Sequence, residues 1–436
     1  MRSKLSFTAA GDFLVQRRMP ENYRGFTAVR DFIMRGDFRF FNLETVFTDD
    51  TCFGNQFYGG AYLRADPAVF DDTLRYGFNM VTIANNHSLD FAHRGLIKTI
   101  DTIKNSCIPF AGAGKNLDEA SEPAYLETEH GSLGLIGITT SMTNNAALAG
   151  KQSRRFIGRP GVNGLRHTEE LIVNESQFNA LQTIQSISKM DAADDIAREE
   201  GFSAPLDEGA LRFHGLTVKI GEKPTFITHP DQSDVARMEQ AIKNARKECD
   251  YVIVSVHSHE VGGTNKEMPA QFFVEFVHKC IDAGATAVVG HGPHLIRPIE
   301  IYKGHPIFYS LGNFVFQDEV AVDSPEDQYE ELGLTSDAPL TEIYKRRTHD
   351  HTSGLCTDRR VYEAILPYVE IENDCVTKIE IMPLSLGFKE ERWRTGYPEP
   401  GFDTDVLKRL KKMSESYGTE ITIDEKGIGH VKLGKK

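Results

Sequence analysis

The chain has 436 residues and is 40% hydrophobic, enough to bury a sizeable core as one large domain carrying insertions. Its 63 acidic against 49 basic residues give a formal charge of −14, which excludes a general nucleic-acid or anionic-membrane binder, since either needs a basic surface. Six dispersed cysteines form no CxxC or zinc-finger spacing and read as free thiols of a reducing compartment. The start MRSKLSFTAAGD enters a strand at once, leaving no room for a signal-peptide core, and no run of about 18 apolar residues follows. A cytoplasmic protein without membrane insertion is expected.

Strand-like and helix-like patterns alternate through the first 145 residues. Residues 5–9 predict a buried strand, 38–41 a second, 68–76 a helix stopped by Gly77, and 80–83 a third strand. A helix over 95–106, a strand near 108–111 and a β run over 133–139 continue this βαβ rhythm, which marks an α/β fold with a mainly parallel sheet. The pattern breaks over about 141–230, read as an insertion with an acidic helical stretch at 190–200. It resumes with helix 234–249, strand 251–256, helix 270–283, strand 285–289 and β runs at 299–302 and 306–310. A second interruption, about 318–359, lacks apolar periodicity and predicts a long loop or small lid. Residues 361–371 and 376–383 predict a closing hairpin. The charged residues 386–436, with a helix at 404–416, are expected to pack on the outside of a 1–385 domain.

Polar clusters stand where the buried runs end: Gly11-Asp12, Asn42 to Glu44, ANNH at 84–87, HSH at 257–259 and GHGPH at 290–294. In an open α/β sheet, ligands bind outside the carboxyl ends of the strands, so these endings converge on one site. Their carboxylate, carboxamide and imidazole groups suit a two-metal hydrolytic centre. Asp12 follows three small residues that allow close approach to a cation, and Glu44 places a charge at the end of a buried run, where a cation would compensate it. Asn86 could coordinate through its carbonyl oxygen while His87 reaches substrate and Asp90 orients the His87 ring. His257 and His259, two apart on an extended segment, point the same way, so both or only one could be ligands. His291 and His294 sit on a Gly/Pro turn that can fold both rings towards one centre. Arg154, Arg155 and Arg159 in the first insertion, and Arg346 and Arg347 in the second, are candidates for binding an anionic substrate.

Taken in order, GDFLV, FFNLET, ANNHSLDF, VSVHSHE and GHGPHLIRPIEIYKGHPIFYSLGNFVF resemble the CapA family of bacterial capsule and poly-γ-glutamate synthesis proteins, of calcineurin-like metallophosphoesterase fold. The likeness spans roughly residues 4–140 and 240–385. It implies a four-layer α/β sandwich with a dinuclear site: Asp12 and His294 on one ion, Glu44 bridging, Asn86, His257 and His291 on the other, and His87 against the substrate or leaving group. Three positions depart from the pattern. The wider fold opens with DxH where this chain has Leu14, bridges with Asp where Glu44 stands, and the family commonly has HWGxE where HSHE occurs, so that His259 is a candidate for the missing imidazole.

The expected activity is therefore metal-dependent hydrolysis of a small anionic or poly-γ-glutamate-like substrate, a phosphoester or a γ-glutamyl or other amide, by a metal-activated hydroxide. Two divalent ions, Mn, Fe or Zn, are the expected cofactors. The resemblance also implies an alternative, a non-hydrolytic accessory role in poly-γ-glutamate or capsule synthesis. Leu14 in place of a histidine suggests a third, a binding protein that has lost the chemistry.

Overall fold

The computed structural model describes residues 4–317 and 324–433 as a mixed α/β protein. Its largest sheet has ten strands. Along its main path lie Ile421–Ile423, Gly429–Val431, Cys375–Ser385, Glu363–Glu372, Leu5–Leu14, Phe38–Leu43, Met80–Thr82 and Phe110–Ala111. Asn313–Phe316 pairs with the far end of Leu5–Leu14, parallel to it. A six-stranded sheet runs Ile299–Tyr302, His305–Phe308, Ala287–His291, Tyr251–His257, Gly131–Thr139 and Ala124–Thr128. Leu5–Leu14, Phe38–Leu43, Met80–Thr82 and Phe110–Ala111 pair in parallel, as do the four central strands of the six-stranded sheet, consistent with βαβ crossovers, whereas Glu363–Glu372 and Cys375–Ser385 join the larger sheet antiparallel.

Period-2 alternation explains how the sheets stack. Leu5, Phe7 and Ala9, with Phe38 and Phe40, share one buried cluster with Tyr251, Ile253, Ala287 and Val289 of the other sheet. The intervening residues face outward into helices: Phe41 and Val81 pack with Leu96 and Ile100, and Val252, Val254 and Val288 pack with Val235, Met238, Phe272 and Phe276. Helix Ala92–Asn105 covers one sheet; Gln232–Glu248 and Gln271–Asp282 cover the other.

The first expected insertion is only partly separate. Val162, Asn163 and Leu165 are buried in the main body, with Asn163 Nδ2 donating to the Gly137 carbonyl at 2.8 Å. From His167 the chain builds its own four-stranded sheet with helices Glu175–Ser188 and Ala192–Glu199 around Val173, Phe178, Leu211 and Val218. The His167 ring stacks on Phe272 at 4.2 Å and ties this unit to the body.

The second interruption is not simply a loop. Residues 318–323 lie outside the described residues, but helices Glu326–Glu331 and Leu340–Arg347 follow, anchored by buried Tyr329 and by Ile343 and Tyr344. Two short helices need only these few anchors, too few for a sustained periodic signal. The C-terminal residues do more than cover the outside. Helix Val406–Glu415 turns Val406, Leu407 and Leu410 into the core between the sheets, and Ile421–Ile423 and Gly429–Val431 extend the ten-stranded sheet. Lys408, Lys411 and Lys412 on the other helix face account for the charged reading. Among the described residues, no helix is long and apolar enough to cross a membrane.

Candidate metal centre

The strand Leu5–Leu14 runs past its predicted end because Asn313–Phe316 pairs with its far half. Its register against Phe38–Leu43 shifts between Ala10 and Asp12. Strict alternation would send residue 11 into the space between the sheets. The irregularity sends Asp12 there instead, fully buried, while Phe13 joins the outer core. Asn42, Thr82, Ser255, His257 and His291 reach the same space by ordinary alternation at the carboxyl ends of their strands.

Two acid–imidazole groups result. Asp12, His257 and His291 form one, and Glu44, His259 and His294 the other; within each, candidate ligand atoms lie within 4.8 Å of one another. Asp12 faces the strand ends of the opposite sheet: its Oδ1 is 3.5 Å from His257 Nδ1 and 3.4 Å from His291 Nδ1, and its Oδ2 is 3.9 Å from His294 Nδ1, the partner that the resemblance implies for it. His257 adjoins both groups. Its Nδ1 lies 3.0 Å from His291 Nδ1, and its Nε2 lies 3.0 Å from His259 Nε2, 3.6 Å from Glu44 Oε1 and 2.7 Å from Asn86 Oδ1.

Neighbouring groups fix the rings. Ser255 Oγ lies 2.8 Å from His291 Nε2 and so leaves Nδ1 facing Asp12. His294 Nδ1 lies 2.9 Å from Asn313 Oδ1, an acceptor, which puts the ring hydrogen on Nδ1 and the lone pair on Nε2. Its backbone takes φ 60°, left-handed, at the tight turn that follows Gly292. Asn42 Nδ2 donates to Asp12 Oδ1 at 2.9 Å, and the Gly292 N–H to Oδ2 at 2.8 Å. Asn85 shapes the turn before His87: its Nδ2 donates to the Leu43 carbonyl at 2.7 Å, and its Oδ1 accepts from the His87 N–H at 3.1 Å.

His87 stands beside Glu44, with Nε2 3.9 Å from Oε1. Its Nδ1 is 2.7 Å from Asp90 Oδ2, and a carboxylate only accepts, so Nδ1 carries the hydrogen. Asp90 is itself fixed by the N–H groups of Gly59 and Leu63, both at 2.9 Å. Gly59 leaves no room for a side chain beside the ring: a Cβ there would come within 2.6 Å of His87 Cε1. The second insertion packs on this covering loop, with Tyr58 Oη donating to Glu331 at 3.4 Å.

The electrostatics match the donor chemistry that divalent cations need. Burial pushes His257 down to about 4, although Asp12 opposes it, and burial also pushes His259 and His294 below the usual histidine value. Burial alone would raise Asp12, but hydrogen bonds from His257 and His291 outweigh it and hold this carboxyl well below the usual carboxylate range. Neutral imidazoles beside an ionised carboxylate are the donor states that metal ligation requires. Each of the two groups therefore has the donor chemistry to hold a metal ion.

The arginines nominated from sequence lie further out. Arg154, Arg155, Arg159 and Arg346 are exposed and Arg347 is half-exposed; among the described residues, none forms a hydrogen bond or ion pair with a member of either group. Arg159 Nε donates to the Leu148 carbonyl at 3.0 Å, and the Arg347 charge is felt at Tyr58. A different basic group stands at the rim. Lys266, half-buried on the hairpin Val261–Gly262 and Asn265–Pro269, has its charge felt at the His294 ring and, among the described residues, forms no ion pair within salt-bridge distance, though the Asp358 carboxylate acts on it from further away. Burial lowers its amine from the ordinary lysine value. Only its place just after HSHE could have suggested it.

Residues 6–318 match the family described as bacterial capsule synthesis protein PGA_cap. The chain belongs to this family. Among PGA_cap-like relatives, two uncharacterized proteins of Sinorhizobium fredii, y4sH and y4uA, are each 30% identical over 98% of this chain and 93% of their own length. The capsule biosynthesis protein CapA of Bacillus anthracis is 24% identical over 72% of this chain and 60% of its own length. A probable polyglutamine synthesis accessory protein of Mycobacterium tuberculosis is 26% identical over 67% of this chain and 56% of its own.

Proposed function

We propose that this PGA_cap protein is a metal-dependent hydrolase of an anionic phosphoester or of a γ-glutamyl or other amide, built on a four-layer α/β sandwich of metallophosphoesterase type. The observation that carries the reading is the meeting of two largely buried acid–imidazole groups, Asp12 with His257 and His291 and Glu44 with His294 and the half-buried His259, beside the His87–Asp90 pair. Divalent cations held there supply a nucleophile at neutral pH and charge that stabilises the transition state. His87 is placed to move a proton at Nε2 to or from the leaving atom, because Asp90 holds Nδ1–H and aims the other nitrogen at the site. Lys266 supplies positive charge at the rim for an anionic substrate in a protein whose net charge is −14.

Metal analysis, with turnover of bis(4-nitrophenyl) phosphate and γ-glutamyl-4-nitroanilide, tests the proposal. Asp12→Ala and His291→Ala should abolish both metal retention and turnover; unchanged turnover refutes it. A second reading, a non-hydrolytic accessory to poly-γ-glutamate or capsule synthesis, draws on the printed functions of the Bacillus anthracis and Mycobacterium tuberculosis relatives. Co-purification with a membrane-bound ligase, together with inertness towards every substrate tried, would favour it.

A further inference from the structure

The two acid–imidazole groups are anchored differently. Asp12, His257 and His291 sit within or at the last residue of paired strands, where ladder bonds fix the backbone; His257 is in register with His291 and Thr139. Glu44, His259 and His294 all lie beyond strand ends; Glu44 still donates its N–H to the Phe13 carbonyl at 3.2 Å, whereas the backbone at His259 leans on side-chain bonds. For His259 those bonds converge on two residues that no ligand role claims.

Arg297 is fully buried and spends its guanidinium on the backbone around His259. Nη1 donates to the Ser258 carbonyl at 3.2 Å, Nη2 to those of His259 at 3.3 Å and Glu260 at 2.8 Å, and Nε to that of Lys266 at 3.2 Å. A planar fork with five donors can serve four carbonyls at fixed angles, which a lysine cannot. Glu260 closes the loop from the other side. Its carboxylate accepts from Thr140 Oγ1 at 2.5 Å, Ser258 Oγ at 2.9 Å and Ser141 Oγ at 3.1 Å. Ser141 Oγ in turn accepts the His259 N–H at 2.7 Å. The backbone on both sides of His259 is therefore clamped, and its ring is held 3.0 Å from His257.

We propose that Arg297 and Glu260, with Ser141, are positioning residues that act through His259 to build the second cation site, making it separable from the strand-borne first site. The inference rests on the cation-binding reading above. It accounts for how a chain with Leu14 at the usual histidine position completes a second group: the imidazole comes from a loop of the opposite sheet, and the clamp gives that loop the rigidity a strand would have provided.

The test is Mn²⁺ titration of chelator-stripped full-length protein, followed by calorimetry and by electron paramagnetic resonance. Wild type should take up two equivalents and show an exchange-coupled pair. Arg297→Lys, which keeps the charge but not the fork, and the milder Ser141→Ala should retain one tight equivalent, bind the second at least about tenfold more weakly, and show isolated-ion spectra. Circular dichroism reports the fold, and Ser141→Ala removes only the bonds of Ser141 Oγ to the His259 N–H and the Glu260 carboxylate, so it decides the matter if Arg297→Lys fails to fold. Wild-type affinity for both equivalents in a folded Ser141→Ala overturns the clamp while leaving the cation reading intact. A wild-type protein that takes up no Mn²⁺ overturns both.

Discussion

Gly11 lies so close to Gly312 that a Cβ on Gly11 would stand 1.8 Å from the Gly312 carbonyl oxygen. That same carbonyl accepts the Asp12 N–H at 3.1 Å, so the contact that excludes a side chain also fixes the irregularity that turns Asp12 between the sheets. An alanine cannot be absorbed by rotating a flexible neighbour, because the obstacle is backbone. Gly11→Ala should lower stability by about 2 kcal/mol or more and weaken metal retention at the Asp12 group. Urea denaturation and metal analysis check this; an unchanged midpoint would show that the strand absorbs the methyl without moving.

The His87–Asp90 pair separates proton transfer from cation binding. Neither residue belongs to the two acid–imidazole groups, yet His87 Nε2 is 3.9 Å from Glu44. Asp90→Asn would present an amide in place of one acceptor for Nδ1–H and release the ring from its orientation. The expected result is kcat lower on the order of 100-fold, with metal stoichiometry unchanged. Equal loss of both would make Asp90 a support of the metal groups instead.

Much of this site is legible in the sequence because buried strands that end in Asp, Asn or His have no packing reason to do so. Asp12, Asn86, His257 and His291 stand out on that ground, and the βαβ rhythm tells which ends share an edge. What stays hidden depends on pairing across distant segments. The register shift at Gly11 follows from a contact with Gly312, about which local pattern says nothing. Arg297 reads as a surface arginine until its four carbonyl partners are known, because its acceptors lie 31 to 39 residues away along the chain. The insertions drew attention to their exposed arginines, whereas Lys266, on a short hairpin, comes near enough to His294 for its charge to be felt there.

Lys266 gives a prediction about substrate charge. Among the described residues this half-buried amine forms no ion pair within salt-bridge distance and feels the Asp358 carboxylate only through longer-range attraction, so it keeps attraction for an incoming anion. Lys266→Ala should raise KM about tenfold for an anionic substrate, equivalent to about 1.4 kcal/mol, and leave kcat and metal content near wild type. Lys266→Arg should recover most of the loss. Identical KM values in wild type and Lys266→Ala would remove the residue from substrate recognition.

The buried histidines make the metal-free protein sensitive to acid. In the unfolded chain His257 titrates near the ordinary histidine value of about 6.5, whereas burial in the fold lowers it to about 4. Between those values the unfolded chain binds a proton that the native state refuses, so protonation pulls towards unfolding. Stability is thus fully present above the ordinary value and is lost as the pH falls towards about 4, with His257 contributing on the order of 3 kcal/mol across the window. His259 and His294 are shifted in the same direction and steepen the fall. Urea midpoints of chelator-stripped protein should therefore drop markedly between pH 7.5 and 5, and His257→Gln should flatten that slope while lowering stability at pH 7.5. Parallel pH curves for wild type and His257→Gln would show that this ring is protonated as readily in the fold as in water.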